Sequence, residues 1–287
     1  MNKNLYRIVF NKARGLLMVV ADIAGAGRAG ASPFSSGTGH TLSQLIGKVH
    51  GVSFALLLAL GAVHPVQAGI VADGSAPGGQ QPTIIHSANG TPQINIQTPS
   101  AAGVSRNVYS QFDVDKKGVV LNNSHANTQT QIAGMVSSNP WLAKGEAKVI
   151  LNEVNARNPS QLNGFIEVAG QKAQVVIANP SGITCNGCGF INANRATLTT
   201  GQAQMNNGHL TGYNVGRGEI VIQGNGLDSS QQDSTDLISR AVKVNAGIWA
   251  NELNVTTGRN QVDAAHQRID KKADDGSARP QLAIDVS

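Results

Sequence analysis

The sequence predicts an all-β protein folded as a parallel β-helix, in which one chain winds through stacked coils of short strands. Three observations favour this fold: many short β-branched runs between turn residues, 23 of the 26 asparagines placed after residue 68, and an aromatic content of only 4%. Asparagines stacked in register can pair their amides along a solenoid axis, whereas a β-sandwich core normally uses several aromatic side chains. A sandwich or jelly roll is the alternative.

The predicted strands are runs of alternating or β-branched residues. Turn-forming sequences such as Asn-Pro-Ser, Gly-Arg-Gly and Gln-Gly-Asn-Gly separate them, and no long amphipathic helix is expected after Gly69. The strands are predicted at Thr83–Ile85, Gln93–Ile96, Gly118–Leu121, Lys148–Val154, Gly164–Val168, Ala173–Ala178, Arg195–Leu198, Gly218–Ile222, Ala241–Val244 and Glu252–Thr256.

The net charge of +5 belongs to the N-terminal segment alone. Residues 1–68 hold six of the 22 Lys and Arg and one of the 17 Asp and Glu, so the remainder holds 16 of each sign. A nucleic-acid partner is therefore not expected, because such a partner is held by an excess of basic side chains.

An apolar run at Gly51–Val63 follows Lys48 and has the length of a signal-peptide hydrophobic region, which is too short to span a bilayer. Small residues then precede a predicted cleavage after Ala68. A buried core helix is the alternative interpretation of the run. A signal peptide implies export across the inner membrane by the Sec machinery.

The apolar run begins unusually far from the N-terminus for a secretory signal. The sequence before it, MNKNLYRIVFNKARGLLMVVAD, resembles the extended signal peptide region of large exported proteins of Gram-negative bacteria. We therefore divide the leader, residues 1–68, into an extension (1–30), a linker with a basic region (31–48), and the hydrophobic region with its cleavage site (49–68).

The sequence patterns that would indicate an enzyme are incomplete in this chain. Gly25–Gly30 fits the dinucleotide pattern G-x-G-x-x-G, but no acidic residue follows within 20 positions and the next segment is not helical. Asp113 and Asp115 resemble the start of a calcium loop, but Lys117 and Ser124 occupy its fifth and twelfth positions. Asp228, Asp233 and Asp236 lie in GLDSSQQDSTD, which is interpreted as a solvated loop. A β-helical polysaccharide-active enzyme remains the alternative function.

The stretch Ser137–Gly201, SSNPWLAKGEAKVILNEVNARNPSQLNGFIEVAGQKAQVVIANPSGITCNGCGFINANRATLTTG, closely resembles the N-terminal secretion domain of two-partner secretion exoproteins. These are the filamentous haemagglutinins, haemolysins and contact-dependent inhibition toxins. The family motif N-P-x-L is matched by Asn139, Pro140 and Leu142, with Trp141 at a position that is more often polar. The motif N-P-[NSA]-G-I is matched by residues 179–183, which are Asn179, Pro180, Ser181, Gly182 and Ile183.

The resemblance implies a right-handed parallel β-helix over residues 69–262, with an N-terminal cap and a small extra-helical sheet, followed by a polar tail or linker at 263–287. It implies recognition in the periplasm by the POTRA domains of a TpsB-type outer-membrane transporter, and then secretion or surface display. It implies no catalytic residue, cofactor, metal or small-molecule substrate. The parent protein would be an adhesin, a haemolysin or a growth-inhibition toxin, and the chain either its leading fragment or a truncated copy.

The Asn-Pro motifs also have a local physical meaning. Proline fixes φ near −65° and its predecessor avoids helical angles, while Gly182 allows a positive φ, so Asn179–Ile183 is a tight turn. The sequence leaves two roles open for this motif, which are recognition by a partner and a purely structural turn.

Cys185 and Cys188 are the only cysteines. A zinc site requires more protein ligands than these two cysteines, and a thiol oxidoreductase would place its C-x-x-C at the start of a helix. Neither kind of site is therefore favoured. Export through an oxidising periplasm makes a local disulfide the default. Closing so short a loop contributes about 2 kcal/mol or less in the chain-entropy model.

Overall fold

The computed structural model describes residues 6–11, 16–21, 69–155, 157–272 and 282–284. The chain divides into two compact units, Met1–His64 and Pro65–Ser287. In the first unit β1 (Tyr6–Asn11) and β2 (Leu16–Ala21) pair as an antiparallel hairpin. The predicted hydrophobic region and the cleavage site at Ala68 lie outside the described residues. Within the described ranges, no helix has the length and apolarity needed to cross a membrane.

The described part of the second unit consists of short strands and two single 3₁₀ turns, at Gly78–Gln80 and Pro140–Leu142. Its strands are β3 (Ile70–Ala72), β4 (Thr83–His86), β5 (Pro92–Asn95), β6 (Val104–Phe112), β7 (Val119–Asn123), β8 (Thr128–Thr130), β9 (Gly134–Val136), β10 (Val149–Val154), β11 (Ser160–Leu162), β12 (Phe165–Gly170), β13 (Ala173–Ala178), β14 (Ile183–Cys185), β15 (Cys188–Ile191), β16 (Ala193–Thr199), β17 (Gln202–Asn206), β18 (His209–Asn214), β19 (Glu219–Ile222), β20 (Leu227–Ser229), β21 (Ser234–Ser239), β22 (Ala241–Val244), β23 (Ile248–Ala250), β24 (Leu253–Thr257), β25 (Asn260–Asp263), β26 (Ile269–Lys271) and β27 (Leu282–Ile284).

Three sheets form the faces of a solenoid. Sheet 1 has the order β3-β6-β10-β13-β16-β21-β24, sheet 2 the order β4-β5-β7-β12-β15-β20-β23, and sheet 3 the order β11-β14-β19-β22-β27. Each coil passes through sheet 1, sheet 3 and sheet 2 in turn, as in β10-β11-β12 and then β13-β14-β15, with parallel pairing between coils. The expected right-handed parallel β-helix is confirmed.

The interior is one continuous apolar core that runs through all the coils. On β13, Val175 and Ile177 point into this core, whereas Val176 and Ala178 belong to a second buried cluster on the other face of sheet 1. Because both faces of β13 are buried, this strand, AQVVIA, is a nearly continuous apolar run with little polar alternation.

The second cluster lies beneath an extra-helical antiparallel sheet of β17, β18, β25 and β26, as the family resemblance implied. A smaller hairpin, β8–β9, covers part of sheet 2 through Val136 and Ala133. The Glu167 carboxylate anchors this hairpin, because it accepts hydrogen bonds from the backbone N–H groups of Gln131 at 2.7 Å and Ile132 at 2.9 Å.

The N-terminal cap is formed by β3, β4 and β5. Strand β3 pairs antiparallel with β6, and β4 pairs antiparallel with β5, which then runs parallel to β7. Ile94 and Ile96 are fully buried and close the end of the core. The cap therefore covers apolar surface that the first coil would otherwise expose.

All ten predicted strands are present, with bounds that differ by a few residues. The strands that the sequence did not reveal are three-residue segments and several longer strands, among them β17, β18, β21 and β6, whose sequence VSRNVYSQF alternates poorly. Two strands, β26 and β27, fall in the stretch predicted as a polar tail, where β26 pairs with β25 and β27 with β22.

The predicted ladder of stacked asparagines is mostly absent. Asn122 does donate from its amide to the Asn95 side chain at 2.8 Å. Asn107 and Asn152, although opposite each other in register, donate instead to the carbonyl oxygens of Ser105 and Val176. These two amides therefore bond backbone carbonyls and not each other.

The interpretation of Asp236 as part of a solvated loop is wrong. Asp236 lies on β21 and is completely buried. Its carboxylate accepts hydrogen bonds from Arg195 at 2.6 Å and from Thr197 at 2.9 Å, and His266 Nδ1 lies 3.0 Å away. His266 belongs to the turn between β25 and β26, so this cluster fastens the extra-helical sheet to sheet 1. Burial alone would raise the pKa of Asp236, but hydrogen bonds from His266, Arg195 and Thr197 hold that pKa below its ordinary value.

Because the pKa of Asp236 is lower in the folded than in the unfolded chain, the ionised carboxylate stabilises the fold above the unfolded pKa, and this contribution is lost as the pH falls through the folded pKa. We predict that the free energy of unfolding, measured with urea between pH 6 and pH 2.5, falls less steeply below about pH 4 in Asp236→Asn than in the unmodified chain. Equal slopes would contradict this assignment, whatever the constant difference in stability.

Gly164 provides a test of coil packing. A Cβ at this position would lie 2.1 Å from the Asp115 carbonyl oxygen of the preceding coil, whereas a Cβ at Gly216 would have no neighbour within 4 Å. We predict that Gly164→Ala lowers the free energy of urea unfolding by about 1–3 kcal/mol, while Gly216→Ala changes it by less than about 0.5 kcal/mol. Equal effects of the two substitutions would show that the coils tolerate a change in spacing.

Candidate functional site

The first Asn-Pro motif builds the corner that joins the cap to the first coils. Asn139 is 2% exposed and precedes the 3₁₀ turn Pro140–Leu142. Its side-chain oxygen accepts from the Trp141 backbone N–H at 3.0 Å, and its Nδ2 donates to the carbonyl oxygens of Ile96 and Asn122, both at 2.9 Å. One side chain thus caps the turn and satisfies two strand ends.

The second motif builds a corner between sheet 1 and sheet 3. Asn179 is completely buried at the end of β13. Its side-chain oxygen accepts from the Ser181 backbone N–H at 2.9 Å, while Nδ2 donates to the Asn158 carbonyl at 3.1 Å and to Ser160 Oγ at 3.0 Å. Its own backbone N–H donates to the Thr199 carbonyl at 2.9 Å, so the residue links three coils.

The tight turn predicted for Asn179–Ile183 is confirmed. The Gly182 N–H donates to the Asn179 carbonyl at 3.0 Å, and Gly182 has a φ of 123°. Ile183, the last residue of this motif, lies in the core at 1% exposure, as does Leu142, the last residue of the first motif. Each motif therefore consists of a buried capping asparagine, a proline in the turn and a buried apolar anchor.

Solvent reaches the middle of the first motif but only part of the second. Pro180 and Ser181 are half-buried, while Pro140 is exposed and Trp141 is 43% exposed. The cap holds the tryptophan in place, because its Nε1 donates to Thr83 Oγ1 at 3.2 Å. The two motifs lie at different corners and share no hydrogen-bond partner among the described residues.

Cys185 and Cys188 form a disulfide with a Cα–Cα distance of 5.3 Å. The bond joins β14 to β15 across a corner, and both cysteines are at most 1% exposed within the main core. In the described ranges no cluster of three or more His, Cys, Asp or Glu has the arrangement of a metal site. The cysteines are thus a clip on a solenoid corner, with Asn186 and Gly187 forming the turn between them.

Asn-Gly pairs recur at one corner of successive coils, a repeat that the sequence patterns did not reveal. Asn163-Gly164, Asn186-Gly187 and Asn225-Gly226 each join a sheet 3 strand to a sheet 2 strand, in the sequences LNGF, CNGC and GNGL. These corners stack, since the Gly187 N–H donates to the Gly226 carbonyl at 2.9 Å and the Asn225 N–H to the Asn186 side chain at 3.0 Å. Their spacings of 23 and 39 residues hid the repeat, because β17 and β18 are inserted into one coil.

Comparison with known proteins gives two family matches. Residues 68–287 match the TPS secretion domain, and residues 1–52 match the Extended Signal Peptide of Type V secretion system. Among solved structures, the filamentous hemagglutinin secretion domain superposes with a TM-score of 0.67 at 31% identity, covering 76% of this chain and 74% of that one.

Similar curated proteins are much longer than this chain. "Toxin CdiA" of Yersinia pestis is 74% identical over 288 residues, and "tRNA nuclease CdiA-2" of Burkholderia pseudomallei is 45% identical over 298 residues. Each match covers 100% of this chain but only 9% of the relative. The signal and the domain together mark a protein that Gram-negative bacteria export and then secrete or display on the cell surface. The chain belongs to the TPS secretion domain family of CdiA-like and filamentous haemagglutinin-like exoproteins.

Proposed function

We propose that the β-helix of residues 69–262 is the signal by which a TpsB-type outer-membrane transporter, through its periplasmic POTRA domains, selects this protein for secretion. The leader would first take the chain across the inner membrane through the Sec machinery, with cleavage after Ala68. The observation that carries this proposal is the family match over residues 68–287. The two secretion motifs support it, because each forms a defined corner of that helix.

The buried state of the motif asparagines suggests how the motifs act. The side chains of Asn139 and Asn179 each donate two hydrogen bonds and accept one within the fold, so we propose that they serve secretion by forming the corners. Pro140 and Trp141 are the motif-associated side chains that remain exposed. We propose that this segment contacts the transporter, with the cap holding the indole in position.

Coil stacking offers a source of direction for export. Each coil pairs in parallel with the coil before it, so a folded coil provides the edge on which the next one forms. We propose that folding proceeds from the cap outwards as the chain emerges, and that each added coil opposes backward movement. No catalytic step is assigned to this domain.

The relatives suggest the wider context. We propose that the parent protein is a contact-dependent growth inhibition toxin, with an adhesin or haemagglutinin as the alternative, because a protein named Toxin CdiA is 74% identical over this region. The nuclease activities in the names of other relatives are attributed to those proteins, of which this chain spans 7–9%.

Asn179→Ala should destabilise the folded domain. The substitution removes three side-chain hydrogen bonds, to the Asn158 carbonyl, the Ser181 N–H and the buried Ser160 hydroxyl, so we expect the free energy of urea unfolding to fall by about 1–3 kcal/mol. Asn225→Ala is the matched control, because Asn225 is exposed at another corner, and its effect should stay below about 0.5 kcal/mol. Equal stability of the two variants would exclude the structural role.

Secretion itself can be tested with the two tryptophans. The full chain is co-expressed with an active cognate transporter, and its release into the medium is compared with the amount retained in cells. We expect release only with the transporter, a several-fold reduction for Trp141→Ala, and normal release for Trp249→Ala, whose side chain is also exposed. Circular dichroism and urea unfolding establish that both variants are folded.

Two results would contradict these proposals. Release without any transporter, or retention despite an active one, would remove the secretion role. Normal release of Trp141→Ala would leave that role intact but place the contact surface elsewhere on the helix.

A further inference from the structure

A groove of about 670 Å³ lies on the outer face of sheet 2, beside the stacked Asn-Gly corners. Its ends are marked by two aromatic side chains, Phe165 on β12 and Trp249 on β23. Phe165, Gly189, Asp228 and Trp249 are successive partners in the strand register, so they form one column across four coils. Three strand spacings separate the ends of this column, a length of about 14 Å.

Glycines seat both aromatic rings against the backbone. A Cβ at Gly189 would lie 2.4 Å from the Phe165 ring, so the ring occupies the space of the missing side chain. The Trp249 indole lies in the same way over Gly226 and Gly247, where added Cβ atoms would be 3.1 Å and 2.9 Å from it. Trp249 nevertheless remains 56% exposed, because only one side of the ring is covered.

The long side of the groove is polar but carries no net charge. The asparagines Asn163, Asn186 and Asn225 line it at the three stacked corners, and Lys116 and Asp228 contribute one charge of each sign. No described group forms a hydrogen bond with the amide side chain of Asn163 or Asn225. An amide provides both donors and an acceptor, so these side chains suit ligands with many hydroxyl groups.

We propose that this groove binds a neutral, linear oligosaccharide of the β-1,4-linked kind, about three pyranose rings long. The apolar faces of such sugars pack on aromatic rings, whose faces carry partial negative charge, and their hydroxyls bond to amides. An extended peptide is disfavoured, because the floor is the face of a sheet whose strands are already paired on both sides, and strand addition needs a free edge.

The groove is suited to binding rather than cleavage. Glycosidases use two carboxyl groups across the scissile bond, whereas Asp228 is the one carboxylate among the described residues that line this groove. Asp228 Oδ1 already accepts hydrogen bonds from Ser230, from the N–H at 3.1 Å and from Oγ at 2.7 Å. This proposal does not depend on the transporter, since it concerns another surface.

The test follows the two indole N–H signals in ¹H–¹⁵N spectra of the full chain, expressed with its leader and recovered after export. Trp141→Phe assigns the signals, because the chain has only two tryptophans. Cellotriose and chitotriose are titrated separately, which distinguishes plain from acetamido sugars. We expect the Trp249 signal to shift with at least one of them and the Trp141 signal to stay in place.

Affinity is then compared between variants by calorimetry with the trisaccharide that binds. Trp249→Ala should weaken binding about tenfold or more, and Asn225→Ala should weaken it less, while Trp141→Ala binds as the unmodified chain does. The proposal is overturned if neither sugar shifts the Trp249 signal at a concentration of about 10 mM, which is well above a dissociation constant of about 1 mM. It is also overturned if Trp249→Ala binds the sugar as tightly as Trp141→Ala does.

Discussion

A parallel β-helix must satisfy the backbone at its corners, and the rest of this structure depends on how asparagine does so. At each corner the chain leaves the strand ladder, so N–H and carbonyl groups lose their regular partners. Asn139 and Asn179 supply replacements in the two motifs. Asn123 does the same elsewhere, because its side chain bonds both the N–H and the carbonyl of Ala147 and also the carbonyl of Gln171. Each unpaired buried group would cost about 1–3 kcal/mol, so these three asparagines contribute to the stability of the fold.

The sequence was most informative where packing dictates a simple pattern. Strand β13, AQVVIA, is apolar on both faces and was located correctly. Strand β6 was not, because Ser105 and Asn107 are buried within it and interrupt the apolar pattern. The burial of Asp236 could not be foreseen either, since its partners Arg195 and His266 are 41 and 30 residues away in the chain. Local patterns thus predict strands well and polar networks poorly.

The same limit applies to the candidate site. Pattern and resemblance identified the residues of both motifs and the paired cysteines, but a proline turn has the same sequence whether it contacts a partner or only redirects the chain. The side-chain contacts show that both asparagines face inwards and cap their turns. The aromatic groove had no sequence signal, because Phe165 and Trp249 are 84 residues apart and meet only through the register of four strands.

The disulfide between Cys185 and Cys188 has a topological consequence. A bond between residues three positions apart closes a ring scarcely wider than the chain itself. An unfolded polypeptide with this bond can still be threaded through a narrow pore in single file, whereas a cross-link between distant coils would force two or more segments through side by side. Oxidation in the periplasm and passage in an unfolded state are therefore compatible in this protein. Once the coils have stacked, both sulfurs lie inside the core and are shielded from reductants.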